Sequence, residues 1–258
     1  VQRLETDMGK LDGKAAILTG GAEGIGVTYA QALADEGACV AIWDVVNSDK
    51  SVAEVKARGG RCLGMACDVT DPRAVAQSLE RVVSEFGGVH ILVNNAAVYA
   101  RLLDLKPFEE ITSAEFDKAM SVNVRGPFEC AKAVSPIFRK QGYGKIINIA
   151  SGTAFKGTAG LMHYVASKGA VISMTRAMAN ELGGAGVRCN AIAPGLVLTE
   201  AIARPGLEDF RAGAVATRFL KTGQMPSDLA GALVFLASPD SDFITGQTLV
   251  VDGGSAMH

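Results

Sequence analysis

The sequence predicts a doubly wound α/β fold: a seven-stranded, mostly parallel sheet with helices on both faces. Three observations predict it. Short runs rich in Val and Ile alternate with longer segments of helical spacing. The short runs are apolar throughout, as strands covered on both faces require. No internal repeat, low-complexity tract or linker interrupts the 258 residues, so one domain over 1–258 accounts for the pattern.

The strands are expected at residues 15–19, 40–44, 61–66, 91–94, 145–149, 188–193 and 248–251. The first helix, 25–36, follows a glycine-rich turn and stops at Gly37. The second, 51–58, is closed by Gly59-Gly60. The third, 72–86, opens with Asp71-Pro72, a capping residue followed by a first-turn proline. A long helical segment, 115–141, holds Pro127 and Pro136. At least one of them must break or kink it, because proline lacks an N–H and crowds the preceding turn. Residues 164–182 form an uninterrupted helix and 228–236 the last one. Residues 1–10 are polar and are expected to fray. Residues 199–223 carry scattered charge and weak helical periodicity after a strand, the profile of an irregular lid or binding loop.

Composition narrows the function classes. The net charge is −2 and no basic block is present, which argues against nucleic-acid or anionic-membrane partners. No signal-peptide pattern opens the chain, and no apolar run reaches the roughly 18 residues that span a bilayer. Five cysteines, an odd number without a C-x-x-C pair, read as reduced thiols filling a core, so a cytoplasmic enzyme is expected. His90, His163 and His258 show no ligand spacing, and no metal site is expected. His163 precedes Tyr164 and is rotated about 100° from it on a helix, so it is expected to line the pocket wall or face solvent.

After the first strand comes Thr19-Gly20-Gly21-Ala22-Glu23-Gly24-Ile25-Gly26. Glycines let the backbone approach a pyrophosphate, and the helix that follows aims free N–H groups at it. Asp44 ends the second strand, where a carboxylate accepts hydrogen bonds from ribose hydroxyls and repels a 2′-phosphate. No Arg or Lys lies in the glycine loop, and none follows Asp44 until Lys50. NAD rather than NADP is therefore the expected cofactor.

The ordered set of motifs resembles the classical short-chain dehydrogenase/reductase family. It comprises T-G-x-x-x-G-x-G at 19–26, Asp68-Val69, Asn94-Asn95-Ala96-Ala97, Asn123 within Ser121-Val122-Asn123-Val124, Ser151, Tyr164 with Lys168 four residues on, Pro194-Gly195, and the closing run 244–254. The resemblance spans about residues 11–254 and implies a Rossmann-type domain. It implies NAD contacts from Gly20, Glu23, Gly24, Ile25, Gly26, Asp44, Asp68, Val69, Asn95, Ala96, Tyr164, Lys168, Pro194, Gly195, Val197 and Thr199. The Asp68 carboxylate would take the adenine amine and Val69 a ring nitrogen. Ala97 stands where the family pattern has Gly, a methyl group that the backbone is expected to tolerate. The implied catalytic set is Asn123, Ser151, Tyr164 and Lys168, with Asn123 fixing a water that links Lys168 to solvent. A homotetramer is implied as well, pairing the long helices and the C-terminal strand region. The helix 164–182 agrees, with apolar residues on more than one face.

The residue types suit hydride transfer. A free tyrosine titrates near ~10 and is a poor base at neutral pH. A neighbouring ammonium and an oxidised nicotinamide both favour its phenolate. Tyr164 would then exchange a proton with the substrate oxygen while Ser151 holds that oxygen. The expected substrate walls are Val98, Tyr99, Ser151, Thr153, Leu161, Met162 and Leu196, with Phe210 or Leu207 completing an apolar lid. Such walls favour an uncharged cyclic or aromatic secondary alcohol and its ketone over a polyol. Arg204, Arg211 and Arg218 of the lid are expected in solvent; any one turned inward would instead suit a carboxylate or sulfonate. The rival readings are a 3-oxoacyl-thioester reductase, a sugar or polyol dehydrogenase, and a non-catalytic NAD(H)-binding regulator, the last disfavoured because Tyr164 and Lys168 are both present.

Overall fold

The computed structural model describes residues 9–99 and 105–257. Residues 1–8 of the segment expected to fray lie outside this description. Residues 9 and 10 are docked instead: the Lys10 N–H donates to the Glu36 carboxylate at 3.0 Å, and Gly9 packs so closely on the Glu36 carbonyl that a Cβ would not fit.

Seven strands form one sheet: β1 (Ala15–Thr19), β2 (Cys39–Asp44), β3 (Cys62–Ala66), β4 (Ile91–Asn94), β5 (Gly144–Ile149), β6 (Val187–Pro194) and β7 (Thr248–Val251). Their order is β3-β2-β1-β4-β5-β6-β7 and every pairing is parallel. Successive residues point to opposite faces, so Ile17 and Ala41 enter one core while Leu18 and Ile42 enter the other. On one side α1 (Ile25–Asp35), α2 (Asp49–Ala57) and α10 (Ala230–Ala237) cover the sheet, with Tyr29, Leu33, Leu233 and Leu236 buried. On the other, α3 (Pro72–Phe86), α5 (Gly126–Gln141) and α7 (Met162–Gly183) bury Val82, Val134, Phe138 and Leu182.

Local chemistry sets the helix ends. The Asp71 side chain accepts from the Arg73 N–H at the start of α3, and Gly87 ends it in the left-handed region. A capping box between Thr112 and Glu115 starts α4 (Ser113–Met120). The long segment expected from 115 to 141 is interrupted once. Residues Ser121–Arg125 form a π-helical turn between α4 and α5, just before Pro127. Pro127 has no N–H to give the Asn123 carbonyl, which accounts for the widening there. Pro136 lies inside α5 without ending it.

The 199–223 segment is more regular than expected. It contains α8 (Glu200–Ala203) and α9 (Glu208–Ala216), but α9 buries no residue fully. A further single turn, α6 (Thr153–Lys156), follows Ser151 and had no counterpart in the sequence pattern. No helix among the described residues is long and apolar enough to cross a membrane. The chain leaves β1 toward β2 and β3, then returns to place β4 on the other side of β1. That reversal opens a crevice at the carboxyl ends of β1 and β4, where ligands bind in folds of this type.

Candidate active site

A cleft of about 1170 Å³ opens at that reversal. All sixteen residues expected to contact a dinucleotide line it. Gly20 and Gly24 have φ of +66° and +58°, a backbone region that disfavours a side chain. A Cβ on Gly20 would lie 2.7 Å from the Ala96 Cα, so the loop after β1 and the strand end of β4 touch backbone to backbone. Asn95 holds this contact: its Nδ2 donates to the Gly20 carbonyl at 2.6 Å and the Thr19 carbonyl at 3.1 Å. The N-terminus of α1 carries no capping side chain and no acidic residue in its first turn. Its positive end is therefore uncompensated and faces the cleft.

The Asp44 carboxylate is fixed at the far end of the loop. Its Oδ2 accepts from the Ala22 N–H at 2.9 Å and its Oδ1 from the Val46 N–H at 3.0 Å. Each oxygen keeps a lone pair for a hydroxyl donor. None of the residues that the glycine loop and the end of β2 contribute to the lining is Lys or Arg. The Asp68 carboxylate accepts from the N–H and the hydroxyl of Thr70, which hold it below the usual carboxylate range. A glycine loop, an uncapped helix end and a carboxylate suited to a diol form a donor set that fits a dinucleotide. Ala97 adopts no positive φ, so the departure from Gly is accommodated without backbone strain.

Ser151, Tyr164 and Lys168 converge on the same cleft. The Ser151 Oγ accepts from the Thr153 hydroxyl at 3.0 Å. The Lys168 Nζ donates to the Ile149 carbonyl at 2.7 Å and lies 5.7 Å from the centre of the Tyr164 ring. Tyr99 packs against Tyr164 with ring centres 4.9 Å apart. Burial pushes the Tyr164 phenol up; Tyr99 adds to this and hydrogen bonding with Ser151 opposes it. Burial pulls the Lys168 ammonium down to about 8. The chain's own residues therefore hold Tyr164 as the neutral acid. The shift toward phenolate expected from Lys168 is absent in the protein alone.

The expectations for Met162 and His163 need correction, and Asn123 stands apart from the cleft lining. Asn123 is fully buried and does not line the cleft: its Oδ1 accepts from the Val98 N–H at 2.9 Å and its Nδ2 donates to the Ser167 hydroxyl at 3.1 Å. Its side chain fixes the chain after β4, and its carbonyl is the one that Pro127 leaves without an α-helical N–H. Met162 is 40% exposed and outside the cleft, because two helical steps rotate it about 200° from Tyr164. His163 is 3% exposed, so it neither faces solvent nor lines the cleft, and its Nδ1 has no partner among the described residues. Val98, Tyr99, Thr153, Leu161 and Leu196 line the cleft as expected. Of the lid candidates Phe210 lines it and Leu207 does not.

The lid arginines also divide. Arg204 is exposed, and Arg211 donates to the Ile202 and Arg204 carbonyls. Arg218 is 3% exposed and turned into the cleft wall, against the expectation of solvent. Its Nη2 donates to the Leu196 carbonyl at 2.6 Å and its Nη1 to the Thr222 carbonyl at 2.8 Å. Lys156 and Ser255 line the cleft too, and no motif marks either in the sequence.

Comparison with known proteins agrees with this geometry. Residues 20–256 match the family profile described as enoyl-(acyl carrier protein) reductase. Galactitol 2-dehydrogenase from Agrobacterium fabrum is 39% identical over 260 residues, covering 96% of this chain and 99% of that protein. A 4-formylbenzenesulfonate dehydrogenase from Comamonas testosteroni is 38% identical over 253 residues, covering 95% and 98%. The crystal structure of a short-chain type dehydrogenase/reductase from Mycobacterium marinum superposes with a TM-score of 0.88 at 33% identity, covering 96% of this chain and 98% of that one. The chain belongs to the short-chain dehydrogenase/reductase family, and it is an oxidoreductase of alcohol and carbonyl groups.

Proposed function

We propose that this protein is an NAD-dependent dehydrogenase/reductase of a cyclic or aromatic secondary alcohol and its ketone. The observation that carries the reading is the convergence of Ser151, Tyr164 and Lys168 on the cleft that also holds the glycine loop and Asp44. Asp44 would receive the adenosine ribose hydroxyls, and the α1 N-terminus the pyrophosphate. Lys168 would hold the second ribose, and the Pro194, Gly195, Val197 and Thr199 segment the carboxamide. The bound nicotinamide supplies the hydride acceptor or donor. The Ser151 hydroxyl orients the substrate oxygen and stabilises charge developing on it. Tyr164 gives its phenol proton to that oxygen during reduction and takes it back during oxidation. Asn123 acts through Val98 and Ser167, as a positioning residue.

Tyr99, Leu161, Leu196 and Phe210 leave an apolar space beside these groups, which supports a ring-bearing substrate. The galactitol-oxidising relative makes a polyol the second reading, for which Thr158, Glu200, Asp209 and Ser255 of the cleft would be the partners. We also infer a homotetramer. Phe128 is 46% exposed on α5 beside Met174 of α7, and Leu249 on β7, at the sheet edge, is 40% exposed. A second copy would cover both regions. The test is a panel of neutral cyclic, aromatic and polyhydroxylated alcohols with NAD and NADP in parallel, read by absorbance of the reduced nicotinamide. Turnover of the cyclic alcohols with at least a tenfold preference for NAD is expected. Equal kcat/KM for both cofactors, or turnover of polyols alone, would overturn the reading.

A further inference from the structure

Among the described residues, the substrate end of the cleft contains two cations without a counter-charge. Lys156, at the end of α6, lines the cleft, and its Nζ donates to the Ser255 hydroxyl at 2.9 Å. The Ser255 and Thr217 hydroxyl oxygens are 2.7 Å apart, and Thr217 donates its proton to the Ala214 carbonyl at 2.9 Å. The proton order is thereby fixed: Lys156 donates to Ser255, Ser255 to Thr217, and Thr217 to the lid helix α9. Each hydroxyl proton is committed, so neither hydroxyl can neutralise Lys156. Of its three N–H donors, one is used. Arg218, the next residue after Thr217, is 3% exposed and bonded only to two carbonyls.

Among the described residues no carboxylate lies within 4 Å of Lys156 or Arg218. The buried Asp252 carboxylate, whose neighbour Gly253 lies under the Arg218 stem, is spent on the N–H groups of Gly254, Ser255 and Ala256. Glu200 and Asp209 of the lid line the cleft but pair with neither cation. A guanidinium this buried without an anion is unfavourable, and a bound anion would remove the penalty.

We propose that the substrate bears a carboxylate, or the equivalent sulfonate, on the part of its ring remote from the carbinol, received by Lys156 with Arg218 behind it. The placement suits this. Ser151 precedes the single turn of α6 and Lys156 ends it, and both line the cleft. A six-membered ring held by Ser151 at its carbinol would present a para carboxylate toward the lysine. Lys156 is then a specificity residue at the exposed mouth of the cleft, and the Ser255 and Thr217 hydroxyls hold its ammonium there while joining the lid to the bound anion.

The proposal rests on the hydride-transfer reading, and its test separates the two. The probes are 4-acetylbenzoate and its methyl ester, matched in ring and ketone. Their binding to the protein–NADH complex is read by NADH fluorescence, and their reduction by loss of NADH absorbance. The wild-type protein is expected to bind the carboxylate at least tenfold tighter than the ester. Lys156→Met should abolish the difference by weakening the carboxylate alone, Lys156→Arg should restore most of it, and raised salt should weaken it. Equal affinity for the two probes, or equal losses for both in Lys156→Met, overturns the proposal; equal losses for both in Asp209→Asn as well would assign Lys156 to closing the lid on Asp209. Selective carboxylate binding without reduction would instead count against the hydride-transfer reading and leave the anion site standing.

Discussion

The two walls of the cleft are built differently. The wall at the strand ends is tied by bonds to the strands and the loops that leave them: Asn95 to the Gly20 carbonyl, the Ala22 N–H to Asp44, the Val98 N–H to Asn123, Lys168 to the Ile149 carbonyl. The opposite wall is the lid. Its helix α9 has no fully buried residue, and its attachment runs through the Arg218 guanidinium and the Thr217 and Ser255 hydroxyls. Breaking the first wall would cost strand-end and core contacts; displacing α9 of the second would cost mainly polar bonds. On the proposed reading, chemistry belongs to the wall tied to the strand ends and substrate choice to the wall held by fewer bonds.

Substitutions on the two walls should separate in size and kind. The largest effect is expected from Tyr164→Phe, which removes one hydroxyl and leaves the ring. Turnover should fall by about 10²–10⁴ with NADH binding retained. Activity above about a tenth of wild type would remove Tyr164 from proton transfer. The pH dependence follows from the same group. Its raised value leaves it protonated at neutral pH, so it is ready to give a proton but not to take one. Alcohol oxidation should accordingly rise as pH increases from neutral, while ketone reduction does not.

Lys168→Met should lower turnover by about 10²-fold and weaken the cofactor. It should also stabilise the protein without cofactor at pH 7, by about 1–3 kcal/mol. The sign follows from burial: the folded value is about 8, below the ordinary 10.5, so folding at pH 7 has to bury a charge. The wild-type penalty is complete below about 8 and is relieved as pH rises toward the ordinary value. Thermal melts of both proteins at pH 7 and pH 10 would check it: the gap should narrow at the higher pH.

Asp44→Ala should weaken NAD by about tenfold or more, because hydrogen bonds to a carboxylate are lost. NADP should be affected less, and parallel titrations would measure the ratio. The smallest effect is expected on the lid. Thr217→Val breaks the hydroxyl chain and should raise KM about two- to fivefold with kcat nearly unchanged, the size of one neutral hydrogen bond. A fall in kcat as large as that of Lys168→Met would erase the distinction between the walls.

Sequence alone determined the sheet, the glycine loop, Asp44 and the Tyr164–Lys168 pair. Each is written in local pattern: apolar runs, glycines at a strand-to-helix turn, two side chains one helical turn apart. Strand ends differ from expectation by at most a residue or so. Tertiary structure alone decided what pairs across long separations. Asn123 contacts Val98 and Ser167, partners that no local motif names. His163 is buried where α7 packs on α4, and no single-helix argument places it. Arg218 turns inward because carbonyls at Leu196 and Thr222 await a donor, and Lys156 meets Ser255 across 99 positions of chain. Local propensities do not encode such meetings; they exist only once the sheet has brought its loops to one edge, which is why the reaction class was legible in the sequence and the lid side of the cleft was not.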